Sequence, residues 1–196
     1  MKDIVFATNN ANKLREIREI VGGKFRVLGL KEIGCNEDIE ETAETIEGNA
    51  LIKANFVKEH YDYDCFADDT GMEVAALGGE PGVYSARYAG EDCNSENNID
   101  KVLARLEEAK KHGNDDRSAK FRTAIALIFD GKTEIFEGEV KGKILTERHG
   151  TGGFGYDSIF KPDEANCSFA EMKAEEKNAI SHRGRATAKL MEYLKK

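Results

Sequence analysis

The chain has 196 residues and a formal net charge of −8, with 29 lysines and arginines against 37 aspartates and glutamates. This length suits one domain with a substantial core, and the acid excess argues against a general nucleic-acid binder, which would carry a basic footprint. No apolar run is long enough for a membrane span, and the four scattered cysteines, without a Cys-x-x-Cys pair, predict a reduced, cytoplasmic protein that lacks structural zinc.

The first half of the chain alternates between strand-like and helix-like patterns. Short apolar runs are typical of buried strands, whereas apolar residues recurring every three or four positions indicate helices. The elements predicted in chain order are a strand at 3–8, a helix through Leu14, Ile17 and Val21, a strand at 25–30, an acidic loop at 31–45, a helix at 46–60 and a glycine-rich loop at 78–82.

The second half begins with a helix and then becomes rich in strands. Two β-rich runs, 121–129 and 133–140, flank Asp130-Gly131-Lys132, which is a hairpin signal. The remaining predicted elements are a helix through Ile99, Val102, Leu103 and Leu106, a strand at 157–160 and two C-terminal helices, the last carrying Ala186, Leu190, Tyr193 and Leu194. This order predicts an α/β fold with a mixed β-sheet flanked by helices, in one bilobal domain spanning 1–196.

The segment Cys65–Val74, CFADDTGMEV, places Asp68 and Asp69 side by side at the end of an apolar run. Each carboxylate costs several kcal/mol to desolvate unless a cation, a proton or several hydrogen bonds meet it. One interpretation is turn chemistry, since Asp-Thr-Gly suits the exit of a strand. The other is a functional pair of carboxylates, and this segment alone leaves both open.

Lys53 falls on the apolar stripe of its predicted helix, between Ala50 and Val57. Either its long stem reaches an edge of the core, so that the ammonium stays in water, or the ammonium meets an anion. That anion would be a protein carboxylate or a ligand phosphate.

Residues 8–13, TNNANK, join the first strand to the first helix. Backbone N–H groups at a helix start, small polar side chains and a lysine could form a phosphate cradle, although the glycines of a P-loop are missing. Simple capping by asparagine explains the same pattern, so both interpretations stay open here.

Residues 150–155, GTGGFG, match the spacing of a dinucleotide fingerprint. We reject that interpretation because the fingerprint needs a helix after it, whereas 156–162 has the pattern of a strand. The glycines instead allow close approach to a flat group, on which Phe154 could stack. A loop without function remains the alternative.

Ser181-His182-Arg183 opens the last predicted helix, with Ser181 as its N-cap. Positive side chains in a first turn oppose the helix dipole, which favours an anionic or hydrogen-bond-accepting partner, although an accidental surface arrangement explains them equally well. The acidic residues of the loop at 31–45 are a solvated charge run, from which one or two carboxylates could join Asp68 and Asp69 around Mg²⁺.

Taken together, these motifs occur in an order that is similar to one known family. They are TNNANK, Glu40-Glu41-Thr42, Lys53, ADDTG, LGGEPGVYSARYAG, GTGGFGYDSIF and SHRGRA. From Thr8 to about Ala186 the sequence resembles the inosine triphosphatase family (RdgB-like), pyrophosphatases that remove noncanonical purine nucleoside triphosphates. The resemblance implies an elongated α/β fold with two lobes and an active-site cleft between them, dependence on Mg²⁺, and a homodimer.

The resemblance also implies roles for individual residues. Asp69 would be the general base, with Glu41 and Asp69 on the metal, and Lys53 would be catalytic. The residues implied to bind the substrate around its triphosphate are Thr8, Asn9, Asn10, Ala11, Asn12, Lys13, Lys53, Asp68 and Thr70. Those implied to line the nucleobase pocket are Phe154, Gly155, Tyr156, Asp157, Lys177, His182 and Arg183. Asp68 and Asp69 are expected to face the metal and a water.

Three positions depart from the family pattern. Asn9 replaces a common glycine, Gly48 replaces a common acid, and Thr70 replaces serine while keeping the hydroxyl. The expected reaction is attack of water on the α-phosphorus, giving a nucleoside monophosphate and pyrophosphate. The substrates are small nucleoside triphosphates, with no nucleic acid or membrane as partner. Two other functions stay open: a nucleotide-binding regulator without turnover, and a hydrolase of another phosphoanhydride, such as modified pyrimidine triphosphates.

Overall fold

Parallel strands connected by helices form the first part of the fold. The computed structural model describes residues 2–195. Its elements are β1 (Lys2–Phe6), α1 (Ala11–Val21), β2 (Phe25–Leu28), α2 (Ile46–Tyr61), β3 (Cys65–Val74), β4 (Pro81–Gly82), α3 (Ser95–Lys111), β5 (Ser118–Phe129), β6 (Lys132–Ile144), β7 (Phe160–Pro162), α4 (Ala174–Ile180) and α5 (His182–Tyr193).

The strands form one mixed sheet in the order β2-β1-β3-β5-β6-β7, with β4 added to β3. Strand β1 runs parallel to β2 and β3, with Ile4 opposite Val27 and Phe6 opposite Phe66, whereas β4 and β7 pair in the antiparallel sense with β3 and β6. The α/β fold with a mixed sheet and flanking helices is therefore confirmed.

The chain forms two compact units. Unit 1 comprises the residues up to Asp69, Thr123–Gly138 and the residues from Arg183 onward. Unit 2 comprises Thr70–Arg122 and Glu139–His182. The single-domain assignment stays a prediction.

In unit 1, the alternation of side chains along β1 and β3 supplies two apolar faces. Phe6 and Phe66 pack with residues of α1 and α5, including Ile17 and Leu190. The neighbouring positions of the same strands pack with α2 instead, where Ala50, Ala54 and Val57 meet Val5 and Ala67. The parallel strands are thus covered by helices on both faces, as buried parallel sheets require.

Unit 2 has a separate apolar core. Helix α3 contributes Ile99, Val102 and Leu106, and the strands and turns contribute aromatic residues that include Phe121 and Phe160. The rings of Phe121 and Phe160 meet edge to face, with centroids 4.7 Å apart.

Several predicted strand boundaries are wrong. Strand β1 ends at Phe6 rather than at residue 8, β5 begins at Ser118 rather than at 121, and β6 extends to Ile144 rather than to 140. Strand β2 ends at Leu28, because the N–H of Gly29 donates to the Glu32 carboxylate at 2.7 Å and a short 3₁₀ turn begins at Leu30. The strand predicted at 157–160 is a 3₁₀ turn over Asp157–Ile159, and β7 starts only at Phe160. Helix α5 and the hairpin are confirmed; Asp130 and Gly131 both have positive φ, as a two-residue hairpin of type I′ requires.

None of the helices within residues 2–195 combines the length and apolar character that crossing a bilayer would need.

The hairpin offers a matched test of the core of unit 1. Ile125 on β5 is fully buried, whereas Ile135 on β6 is 39% exposed. We expect Ile125→Ala to lower the free energy of unfolding by about 2–5 kcal/mol, since it removes buried methyl groups and leaves a cavity. Ile135→Ala should change it by less than about 0.5 kcal/mol. Urea unfolding of both variants measures the difference, and equal losses would contradict this description of the core.

Candidate active site

The two adjacent aspartates lie within β3, which continues to Val74. The interpretation of Asp-Thr-Gly as a turn at the strand exit is therefore wrong, because Met72 and Glu73 extend the strand by pairing with β4. Both carboxylates are buried, with Asp68 1% and Asp69 7% exposed. Buried carboxylates need partners, and the surrounding helices supply them.

Asp68 is bound by two cations from elements far apart in sequence. The ammonium of Lys13 on α1 donates to Oδ1 at 2.9 Å, and the guanidinium Nε of Arg183 on α5 donates to Oδ2 at 2.9 Å. Burial alone would raise the pKa of Asp68, but the charges of Lys13, Arg183 and Lys53 outweigh it and lower the pKa. Asp68 is therefore a fixed negative charge that faces cations of the protein, which differs from the expectation that it faces metal and water.

Arg183 connects Asp68 to a third helix residue. Its Nη1 donates to Oε2 of Glu16 at 2.6 Å, and the whole side chain is only 2% exposed. Burial acts to lower the pKa of Arg183. The negative charges of Asp68 and Glu16 outweigh this effect and raise the pKa above its ordinary value, so the guanidinium stays charged. Glu16 was missed by the sequence analysis. Its only signal was its position three residues after Lys13, on the same side of α1.

Lys53 lies on the buried face of α2, as predicted. Its ammonium donates to the backbone carbonyl of Asp68 at 2.6 Å and lies 3.4 Å from Oε1 of Glu41. Of the two interpretations of this lysine, the contact with a protein anion is therefore confirmed. The same contacts bring Glu41 and β3 close to one ammonium group.

Asp69 has a different environment from Asp68. Its Oδ2 accepts a hydrogen bond from the side-chain amide of Asn49 at 3.1 Å. Burial raises the pKa of Asp69 to about 6; Lys53 and Lys13 oppose this rise, and the negative charge of Glu41 adds to it. A carboxylate with a higher proton affinity is a better general base near neutral pH.

The segment TNNANK forms a helix cap. Oδ1 of Asn10 accepts from the N–H groups of Asn12 and Lys13 at 3.0 and 3.1 Å, and the Thr8 hydroxyl accepts from the N–H of Asn10 at 3.1 Å. Capping therefore accounts for these amides. The exposed Asn9 and Ala11 lie in the same turn, and the roles of all six residues in binding phosphate stay predictions.

Unit 2 contains a second cluster, built around Asp157. Its Oδ2 accepts from the backbone N–H of Phe154 at 3.0 Å and from the ammonium of Lys177 at 2.7 Å. The same ammonium lies 4.7 Å from the centre of the Phe154 ring, a cation–π distance. Residues 153–157 are therefore held as a compact turn, which explains why the predicted strand does not begin here.

The remaining predicted residues also lie in unit 2. The hydroxyl of Tyr156 donates to the backbone carbonyl of Ser85 at 2.6 Å, and Gly155 next to it has a φ of 59°. The His182 ring stacks on Phe121, with centroids 4.6 Å apart and planes 13° apart. Thr70 directly follows Asp69 in β3 and is partly buried.

The carboxylates near Lys53 can be tested for their fit to Mg²⁺. Within residues 2–195 no three His, Cys, Asp or Glu side chains form a metal-binding group. Glu41 is nonetheless close enough for its negative charge to raise the pKa of Asp69, an effect that a bound cation would oppose. Mg²⁺ commonly uses one or two carboxylates and takes its other ligands from water and substrate phosphates. The donor set fits such an ion.

The sequence is similar to a known protein family over almost its whole length. The model of the Ham1 family matches residues 4–193. The chain belongs to the Ham1 family. It is 56% identical over 193 residues to a dITP/XTP pyrophosphatase of Christiangramia forsetii, covering 98% of this chain and 99% of the relative. A dITP/XTP pyrophosphatase of Porphyromonas gingivalis is 53% identical over 194 residues, covering 99% and 98%.

A solved structure supports the fold in the same way. The HAM1 protein from Coxiella burnetii matches with a TM-score of 0.89 at 39% identity, covering 100% of this chain and 99% of that one. The Ham1 assignment confirms the family that the motifs predicted. The roles of the individual site residues remain predictions.

The buried ion pairs of Arg183 predict a large effect on stability. Arg183→Met leaves the carboxylates of Asp68 and Glu16 without this partner, so we expect a loss of about 3–5 kcal/mol in the free energy of unfolding. Adding Glu16→Gln should recover part of the loss, since one buried charge is then removed. Urea unfolding measures both, with Arg15→Met on the exposed side of α1 as control, expected to change stability by less than about 0.5 kcal/mol. Equal stability of Arg183→Met and the control would contradict the ion-pair description.

Proposed function

We propose that this chain hydrolyses noncanonical purine nucleoside triphosphates (ITP, dITP and XTP) to the nucleoside monophosphate and pyrophosphate, and so removes them from the nucleotide pool. The observation that carries the proposal is the arrangement at β3, where Lys13 and Lys53 lie beside two buried carboxylates of opposite pKa shift. The relatives named dITP/XTP pyrophosphatase, at 56% and 53% identity over nearly the whole chain, support the same reaction.

The triphosphate is proposed to bind beside α1 and α2. Lys13 and Lys53 supply the positive charge, and both are held in place by Asp68, through its carboxylate and its carbonyl respectively. Pre-positioned cations stabilise the charge that develops on departing pyrophosphate without reorganising during the reaction. The segment from Thr8 to Asn12 is proposed to contact the phosphates from the start of α1, where the helix dipole favours anions.

Asp69 is proposed as the general base that takes a proton from the attacking water. Its burial and its neighbour Glu41 raise its proton affinity, while the amide of Asn49 fixes the carboxylate. Glu41 and Asp69 would hold Mg²⁺, which when bound neutralises phosphate oxygens and so makes the α-phosphorus more electrophilic. Thr70, the residue after Asp69, is proposed to contact the substrate.

The nucleobase is proposed to be recognised by hydrogen-bond donors and a stacking ring. Phe154 would stack on the base, in the turn that Asp157 and Lys177 hold together. His182 and Arg183 are proposed to donate to the 6-keto oxygen of hypoxanthine and xanthine, an acceptor that adenine replaces with an amino donor. Gly155 and Tyr156 complete the proposed set. The homodimer and the cytoplasmic location also stay predictions.

A base panel with separate product assays tests the function. With Mg²⁺, we expect the protein to convert ITP, dITP and XTP to monophosphate and pyrophosphate, without direct release of orthophosphate. Because ATP presents a donor at position 6, its kcat/KM should be lower by up to about 10⁴-fold. Binding without turnover would instead indicate a regulator. Equal rates for ATP and ITP would contradict the donor-based account, and preference for a modified pyrimidine triphosphate would contradict the purine assignment.

Replacement of the proposed base tests the mechanism. Asp69→Asn keeps the shape of the side chain but cannot accept the proton and is a poorer metal ligand. We expect kcat to fall by at least about 10²–10⁴-fold while the fold is kept, as checked by circular dichroism and urea unfolding. Asp163→Asn, the same change at an exposed position, should leave kcat unchanged. Near-normal turnover of a folded Asp69→Asn variant would remove Asp69 from the mechanism.

A further inference from the structure

Asn49 on α2 joins two segments that carry the proposed metal ligands. Its side-chain oxygen accepts from the backbone N–H of Ala43 at 2.9 Å, and its amide nitrogen donates to Oδ2 of Asp69 at 3.1 Å. Ala43 is only two residues from Glu41 in the loop before α2. The side chain of Asn49 is completely buried, so both hydrogen bonds are shielded from competition with water.

The two partners fix the orientation of the Asn49 amide. An N–H group can bond only to the oxygen, and a carboxylate only to the nitrogen, so the Ala43 amide and the Asp69 carboxylate select the same orientation. Neither an acidic nor a basic side chain could serve both partners. Aspartate would place a second negative charge against Asp69, and lysine would offer no acceptor to Ala43.

A glycine allows the loop to come this close to the helix. A Cβ atom added at Gly48 would lie 2.6 Å from the Cβ of Ala43 and 3.0 Å from the hydroxyl of Thr45, the N-cap of α2. Gly48, by its lack of a side chain, makes room for Ala43, and Asn49 binds the backbone N–H of the same residue.

From these contacts we propose that Asn49 is a positioning residue, which together with the close approach at Gly48 holds the loop bearing Glu41 against the Asp69 carboxylate. The separation of the two carboxylates is then set by α2, because one amide side chain binds both the Asp69 carboxylate and the backbone of the loop that carries Glu41. This inference rests on the proposed function for its catalytic meaning, whereas the docking of the loop can be measured without any substrate. Residues that orient metal ligands typically change metal affinity by about 10–100-fold when they are removed.

The test compares two asparagines on the same helix. Asn49→Ala removes both hydrogen bonds, and Asn55→Ala makes the same change on the exposed side of α2. For Asn49→Ala we expect faster amide hydrogen exchange at Ala43 in the free protein, with the rest of α2 still protected. The Mg²⁺ concentration that gives half-maximal dITP hydrolysis should rise by about 10–100-fold. Asn55→Ala should change neither quantity.

Gly48→Ala provides a second variant that keeps Asn49 and suits a helix. Its new Cβ displaces Ala43, so exchange at Ala43 and the Mg²⁺ requirement should change in the same direction. Unchanged Ala43 exchange in both variants would overturn the proposal, and so would a loss of protection along the whole of α2, which indicates a purely structural role. If the unmodified protein failed to hydrolyse dITP, the proposed function would fall, while the exchange measurement would still decide whether Asn49 holds the loop.

Discussion

The charge of Asp68 is the constraint on which the site in unit 1 depends. An isolated carboxylate at this depth would cost several kcal/mol, so the fold must bring cations to it. Lys13 and Arg183 bind its two oxygens, and Lys53 binds its backbone carbonyl. Helices α1, α2 and α5 are therefore all tied to one residue of β3. The same interactions that offset the burial of Asp68 also hold the ammonium groups of Lys13 and Lys53 at the carboxylate and the backbone carbonyl of this one residue.

The buried ion pairs around Asp68 are not explained by stability alone. Replacing a buried ion pair by apolar side chains of similar size often leaves the stability of a protein unchanged or raises it, so a buried ion-pair network is weak evidence that these residues serve stability alone. Asp68 contacts all three cations, whereas Glu16 contacts Arg183 and Glu41 contacts Lys53. The network accordingly fits a site that must keep positive charge in a fixed geometry.

The sequence allowed those parts of the site to be predicted that local periodicity or a short motif encodes. Lys53 was recognised because it interrupts an apolar stripe, and the aspartates because they end an apolar run. Glu16 and Asn49 were missed, since each acquires its meaning from a partner brought near by the fold; Glu16 and Arg183 are 167 positions apart. The turn at Asp157 was missed for the same reason, because Lys177 holds it from a separate helix.

Strand geometry gives the two adjacent aspartates their different properties. Successive side chains of a strand point to opposite faces, so Asp68 shares the face of Phe66 with α1 and α5, and Asp69 shares the face of Ala67 with α2. One face supplies cations that lower the pKa of Asp68; the other supplies a neutral amide and a neighbouring acid, so burial raises that of Asp69. Two carboxylates whose pKa values are shifted in opposite directions suit separate roles, one as a permanent charge and one as a proton acceptor. A shift of register by one residue would exchange their environments, and therefore the pairing of β3 with β1 fixes the chemistry as well as the fold.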